Sequence, residues 1–210
     1  MEDGASGPEV GTGSGKRPRP GGRSARVRED VFAATLAELV EVGYTALTIE
    51  RVAARAGVHK TTVYRRWEDK DSLLVAAVSE LAAQPVPAVD TGGLRSDLFA
   101  YASAIVSLLA GPVGRVARTA LTSDAMRVPG IAAFKDELFA TRRPLSAEIV
   151  RRAVERGELD PGTDPHQVID FLVAPVYFRL MLSEELLDDE LARQVTDATV
   201  AAARAGAFAS

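Results

Sequence analysis

The chain contains no cysteine and only two histidines, His59 and His166, in 210 residues. Disulfides, thiolate nucleophiles and cysteine-ligated metals are therefore excluded, and two histidines far apart in sequence leave little for a metal site. No apolar run approaches the ~20 residues needed to span a bilayer. The Gly/Pro/Arg-rich start lacks the apolar block of a signal peptide, so a cytoplasmic protein without membrane association is expected. Convincing β alternation is missing, as are a nucleophile elbow, a dinucleotide fingerprint and metal-ligand spacings. Neither an enzyme nor a cofactor is expected. The stretch Gly11 to Lys16 imitates a phosphate-binding loop, but Val10 replaces its first glycine and Arg17 the hydroxyl residue after the lysine.

What is present is helical periodicity and uneven charge. Hydrophobic residues make up 47% of the chain, enough to bury one or two cores. The net charge of -4 divides into -3 over residues 1–15, +5 over 16–70 and -6 over 71–210. A positive stretch inside an acidic protein suits attraction to phosphate, with the remaining surface held off the polyanion.

Within that stretch Ile49, Val52, Ala53 and Ala56 fall on one helical face. Thr48 can cap this helix, and Gly57 can take the left-handed conformation that ends it. Only Val58 and His59 precede a second short helix, expected over Lys60 to Arg66, so the two helices cross steeply around Val58, Val63 and Trp67. The outward side of the second helix then carries Lys60, Thr61, Thr62, Tyr64, Arg65 and Arg66, the residue types that reach base edges and phosphates in the major groove.

With its spacing, this segment resembles the tetracycline-repressor (TetR) family of bacterial regulators. The resemblance runs from a helix at about Ser24 to Val42, through Gly43-Tyr44, Leu47-Thr48, Val52-Ala53 and Ala56-Gly57-Val58, to Tyr64 and Trp67. It continues into Asp69-Lys70-Asp71 and Leu73-Leu74. Two positions differ from the pattern. His59 stands where a capping Ser or Thr is common, and is a poorer cap; Trp67 stands where Phe or Tyr is common, and keeps the aromatic plug. The resemblance implies base contacts from Lys60, Thr61, Thr62 and Arg66 and phosphate contacts from Thr48, Arg51, Tyr64 and Lys70, with Arg65 suited to either.

The fold expected is all-α: a three-helix helix-turn-helix domain over residues 24–84, then a helical effector-binding and dimerisation bundle over 85–210. Residues 1–23 are expected to be a disordered arm, in which Lys16, Arg17, Arg19 and Arg23, followed by Arg26 and Arg28, suit phosphates or an adjacent minor groove. Asp69 is a good cap for a fourth helix carrying Leu73, Leu74, Ala77, Val78 and Leu81. Pro85, Pro87, Gly92 and Gly93 then break the pattern. Further helices are expected over Leu94–Ala110, Val113–Thr122, Pro129–Arg156, Pro165–Ser183 and Asp189–Ala203.

The penultimate helix is apolar on more than one side. Its Val168, Leu172 and Val176, with Leu191, Val195, Ala198 and Ala202 of the last helix, are expected at a homodimer interface; the resemblance implies the same arrangement. Pro144 and Pro175 interrupt backbone bonding inside helices and open space between neighbours. Candidates to line an effector pocket are Phe99, Tyr101, Met126, Phe134, Phe139, Phe171, Tyr177, Phe178 and Met181. Net acidity over 71–210 favours a cationic or neutral lipophilic effector. The partners expected are a palindromic duplex operator, a second copy of the chain and a small molecule; a ligand-independent activator or architectural factor is the alternative.

Overall fold

The computed structural model describes residues 22–83, 86, 89–183 and 185–209. Among these the structure is all-helical. The elements are α1 (Gly22–Ala46), α2 (Ile49–Arg55), α3 (Lys60–Tyr64), α4 (Lys70–Ala82), α5 (Leu94–Ala110), α6 (Pro112–Leu121), α7 (Pro129–Glu155), α8 (Pro165–Leu182) and α9 (Asp189–Arg204). A 3-10 turn, Asp124–Arg127, joins α6 to α7. Residues 1–21 of the expected arm lie outside the described residues, and Gly22 and Arg23 belong to α1. No single described helix is long and apolar enough to cross a membrane.

Local chemistry sets the ends of these helices. Gly43, with φ 75° and ψ 170°, breaks α1 before its last residues. The Asp69 carboxylate accepts from Ser72 N at 2.8 Å while Ser72 Oγ meets the Asp69 amide, closing a capping box at the start of α4. Asp164 caps α8: it accepts from His166 N at 2.8 Å, and Gln167 Nε2 returns to it at 3.1 Å.

Two apolar cores result. The C-terminal core packs α5, α7, α8 and α9 around Leu98, Ile105, Ile149, Leu172 and Leu180. The other joins α1 to α4 through Val31, Leu39, Val52, Val63 and Leu74, with Trp67 against Phe32 at 5.4 Å between ring centroids. That second core does not close at residue 84. Val116 and Ala120 of α6, Ala125, Val128 and Ile131 all belong to it. Helices α1 to α4 are thus completed by residues well beyond residue 84. Gly130 marks how closely the two regions approach, since a Cβ there would lie 2.7 Å from Val75 Cγ2 on α4.

The structure corrects the α8 part of the expected subunit face, while Leu191, Val195 and Ala198 of α9 line a groove beside α8. Val168, Leu172, Val176, Leu191 and Val195 are buried inside the chain's own C-terminal core. Ala198 is exposed and Ala202 half-buried. The uncovered side of α8 instead carries Phe171, Phe178, Met181 and Leu182, with Phe178 61% exposed.

Candidate nucleic-acid interface and interior cavity

The protruding helix is short and firmly seated. Gly57, at φ 64°, turns the chain out of α2, and the poor cap expected of His59 is nevertheless made: its Nδ1 accepts from Thr61 N at 3.4 Å. Val63 is fully buried and anchors α3 beneath its outer face. The helix ends at Tyr64, earlier than expected, and the Arg66 amide takes the tighter three-residue bond back to the Val63 carbonyl at 2.9 Å.

Nine residues were expected to touch DNA, and their side chains fall into two sets. Lys60, Thr61 and Arg65 are exposed on the outside of α3 and its first following residue, and Thr62 is half-buried beside them. The Thr61 hydroxyl also meets the His59 ring at 2.9 Å, and the other five have partners outside α3 or at its ends. Thr48 caps α2, accepting from Arg51 N at 3.3 Å. Tyr64 donates to Glu50 at 3.3 Å, and desolvation together with the Glu50 charge pushes its phenol up, so it stays a donor. Arg66 donates to the Ser24 carbonyl at 3.2 Å and to the Ser24 hydroxyl, tying the end of α3 to the start of α1. Lys70 donates to the Tyr44 carbonyl at 3.2 Å with its ammonium 4.2 Å from the Tyr44 ring centroid. The Tyr44 hydroxyl donates to Asp71 at 2.8 Å, and burial with that carboxylate pushes the phenol up to about 12.

Arg51 bonds the Glu38 carboxylate at 2.7 Å, and Arg55 takes its other oxygen at the same distance. Of the arginines expected in a basic arm, Arg28 pairs with Glu80 at 2.6 Å and lies over Phe32, and Arg26 is exposed. Sequence reasoning missed Glu38, Arg55 and Ser24 as the anchors of this face. Apart from the position of Glu38 on α1's inner side, nothing local marks them.

A short exposed helix with Lys60 and the adjacent Arg65 unpaired among the described residues, and with two threonine hydroxyls, has the size and chemistry to enter a major groove. Comparison with known proteins agrees. Residues 31–77 match the family model for bacterial regulatory proteins of the tetR family, and residues 88–199 match the model for the tetracyclin repressor-like C-terminal domain. The chain belongs to the TetR family. It is thus a DNA-binding transcriptional regulator. It is 35% identical over 190 residues to the DNA-binding transcriptional repressor TetR of Mycobacteroides abscessus, covering 84% of this chain and 94% of that protein. It is 32% identical over 149 residues to the regulator AqdR of Rhodococcus erythropolis, covering 70% of each. In fold it is similar to the repressor MexZ of Pseudomonas aeruginosa, with a TM-score of 0.70 at 20% identity, covering 88% of this chain and 98% of that one.

Two cavities in this TetR-family chain lie where α4 meets the C-terminal bundle. An open cavity of about 450 Å³ is bounded by Ser79 and Ala82 of α4, Ala83 just after it, Tyr101 of α5, and Phe134 and Arg142 of α7. A smaller cavity of about 100 Å³ continues inward past Phe134, Leu138 and Arg142, among α4, α5, α6, α7 and Tyr177 of α8. Of the expected pocket residues, Tyr101, Met126, Phe134, Phe139 and Tyr177 line one or both, and the Phe139 and Tyr177 rings meet at a tilt with centroids 5.9 Å apart.

The other four expected pocket residues lie elsewhere. Phe99 packs against the C-terminal core. Phe171, Phe178 and Met181 are exposed on the outer side of α8, because Leu172, Val176 and Leu180 take the inner side. Residues not anticipated at the cavities include Leu138 and Arg142 of α7 and Leu81 and Ala82 of α4.

Proposed function

We propose that the protein is a dimeric repressor that reads a palindromic operator through α3 and leaves it when a small molecule occupies the cavity beside α4. The observation that carries this reading is the double role of α4. Leu73, Leu74 and Ala77 lie in the core that supports the reader helices, while Val78, Leu81 and Ala82, on the same rod, form cavity wall. Packed interiors transmit displacement with little compliance. A ligand that pushes on the second half of α4 therefore moves the platform beneath α3.

Dimerisation is supported by the uncovered stripe on α8. Phe171, Phe178 and Leu182 leave a large apolar surface exposed, and a groove between α8 and α9, lined by Phe171, Pro175, Phe178 and Ala198, runs along it. Exposed apolar area of this kind marks an interaction face, and a two-fold pairing of this stripe presents two α3 helices to one duplex. Base contacts are assigned to Lys60, Thr61 and Thr62, with Arg65 on base or phosphate. Thr48 and Tyr64 serve phosphates from their exposed edges, and Arg51, Arg66 and Lys70 position the face through their partners.

The test is linkage. Operator duplex is recovered by genomic selection, and calorimetry measures any cavity ligand with and without it. Release requires ligand affinity to fall in the presence of operator by the factor by which ligand weakens operator binding. Equal ligand affinity in both states rejects ligand-controlled release, and binding of one chain per palindrome rejects the dimer.

A further inference from the structure

The smaller cavity has an unusual balance of charge. Its lining is apolar except for the Tyr177 hydroxyl and two charged side chains, Lys135 and Arg142, both cationic. No carboxylate lines it; Glu137 borders only the larger opening. Net acidity over 71–210 would favour a cationic ligand only if those carboxylates faced the cavity, and they do not.

Arg142 is also mechanically placed. Its Nη2 donates to the carbonyl of Ala82, the last residue of α4, at 2.8 Å. It is half-buried and close enough to Tyr101 and Tyr177 to act electrostatically on both phenols. Burial pushes both phenols up, so each keeps a proton to donate.

Resting on the reading above that this cavity takes the effector, we propose that the effector is an apolar monoanion, an aliphatic or aromatic body bearing one carboxylate or equivalent group. The apolar body runs from the larger opening past Phe134 and Leu138 into the smaller cavity, which alone is too small for it, and the anion meets Arg142 with the Tyr177 hydroxyl as a further donor. An ion in an apolar site needs a paired, hydrogen-bonded partner, and a guanidinium offers a carboxylate two parallel bonds. An ammonium in the same place would face the Arg142 guanidinium, while Lys135 is already paired with Asp136 at 3.2 Å. The anion draws the guanidinium off the Ala82 carbonyl, releasing the end of α4, so the group that recognises the ligand is also the one that grips the reader's support.

The test uses decanoate, decanol and decylamine as probes on the full chain, by calorimetry. Decanoate is expected to bind about tenfold or more tightly than decanol, the size of one charge-assisted bond, and decylamine more weakly still. Arg142→Gln should lose about tenfold for decanoate and leave decanol within about twofold, whereas Arg142→Lys should recover part of the loss. If Arg142→Gln fails to fold, Tyr177→Phe serves instead, with decanoate weakened several-fold and decanol unchanged. The inference is overturned if decanoate does not bind, if decanol or decylamine binds as tightly, or if decanoate affinity ignores both substitutions. The two readings separate: decanoate that binds equally with and without operator supports the anion site and rejects release, whereas decanol that displaces operator while decanoate does not bind keeps release and rejects the anion.

Discussion

Glu38, only 3% exposed, accepts hydrogen bonds from both Arg51 and Arg55 at 2.7 Å, so one buried carboxylate of α1 holds two guanidiniums of α2. Burial pushes its pKa up, but the two arginines outweigh that and hold it below the ordinary carboxylate value. The position of α2 behind α3 depends on this triad, which gives the first two predictions.

Because the folded value is depressed, the stability that Glu38 contributes is present above the ordinary carboxylate value and lost as pH falls through the folded one. Melting temperature measured across acid pH should therefore decline less steeply for Glu38→Gln than for the parent protein. An unchanged slope would remove Glu38 from the acid response.

Arg51→Ala should destabilise the fold by about 1 kcal/mol, near the top of the range for part-exposed pairs, since Arg55 still satisfies the carboxylate. Denaturant midpoints report this. A loss of DNA affinity with no loss of stability would instead return Arg51 to the phosphate-contacting set.

Gly114 of α6 sits against the backbone of α5, where a Cβ would fall 1.7 Å from the Leu109 carbonyl oxygen. Backbone cannot step aside as a side chain can. Gly114→Ala should cost ~3 kcal/mol or more, separating α5 from α6 at their 74° bend, and show as a lowered midpoint in chemical unfolding. A midpoint equal to the parent's would mean this packing is absent in solution.

The two sides of α8 should respond differently. Leu172→Ala empties a fully buried position and should cost about 2–5 kcal/mol of fold stability. Phe178→Glu, at an exposed position, should leave secondary structure intact and turn a dimer into a monomer in sedimentation. A dimer that survives Phe178→Glu would place the subunit interface elsewhere.

The helix-turn-helix was legible because its signals are local: a cap at Thr48, a left-handed Gly57, a buried Val63 and an exposed Lys60 all lie within sixteen residues. The faces of α8 were not. Val168, Leu172 and Val176 are as apolar as Phe171 and Phe178, and periodicity says that a helix has two greasy sides without saying which one its own chain covers. The roles of Arg51, Arg66 and Lys70 were hidden for a related reason. Their partners, Glu38, Ser24 and Tyr44, stand 13 to 42 residues away, and only the crossing of α1 over the reader helices brings them together. Arg142 escaped notice because a lone arginine in a long helix has no sequence mark of facing a cavity.

Base reading by the outer side of α3 underlies both operator recognition and ligand-controlled release. Binding of the parent protein and Lys60→Ala to the selected operator and to a scrambled duplex, in the same salt, measures this directly. Operator affinity should fall by ~1–3 kcal/mol with scrambled-duplex binding much less affected. Equal losses on both duplexes would contradict it and leave Lys60 a phosphate contact.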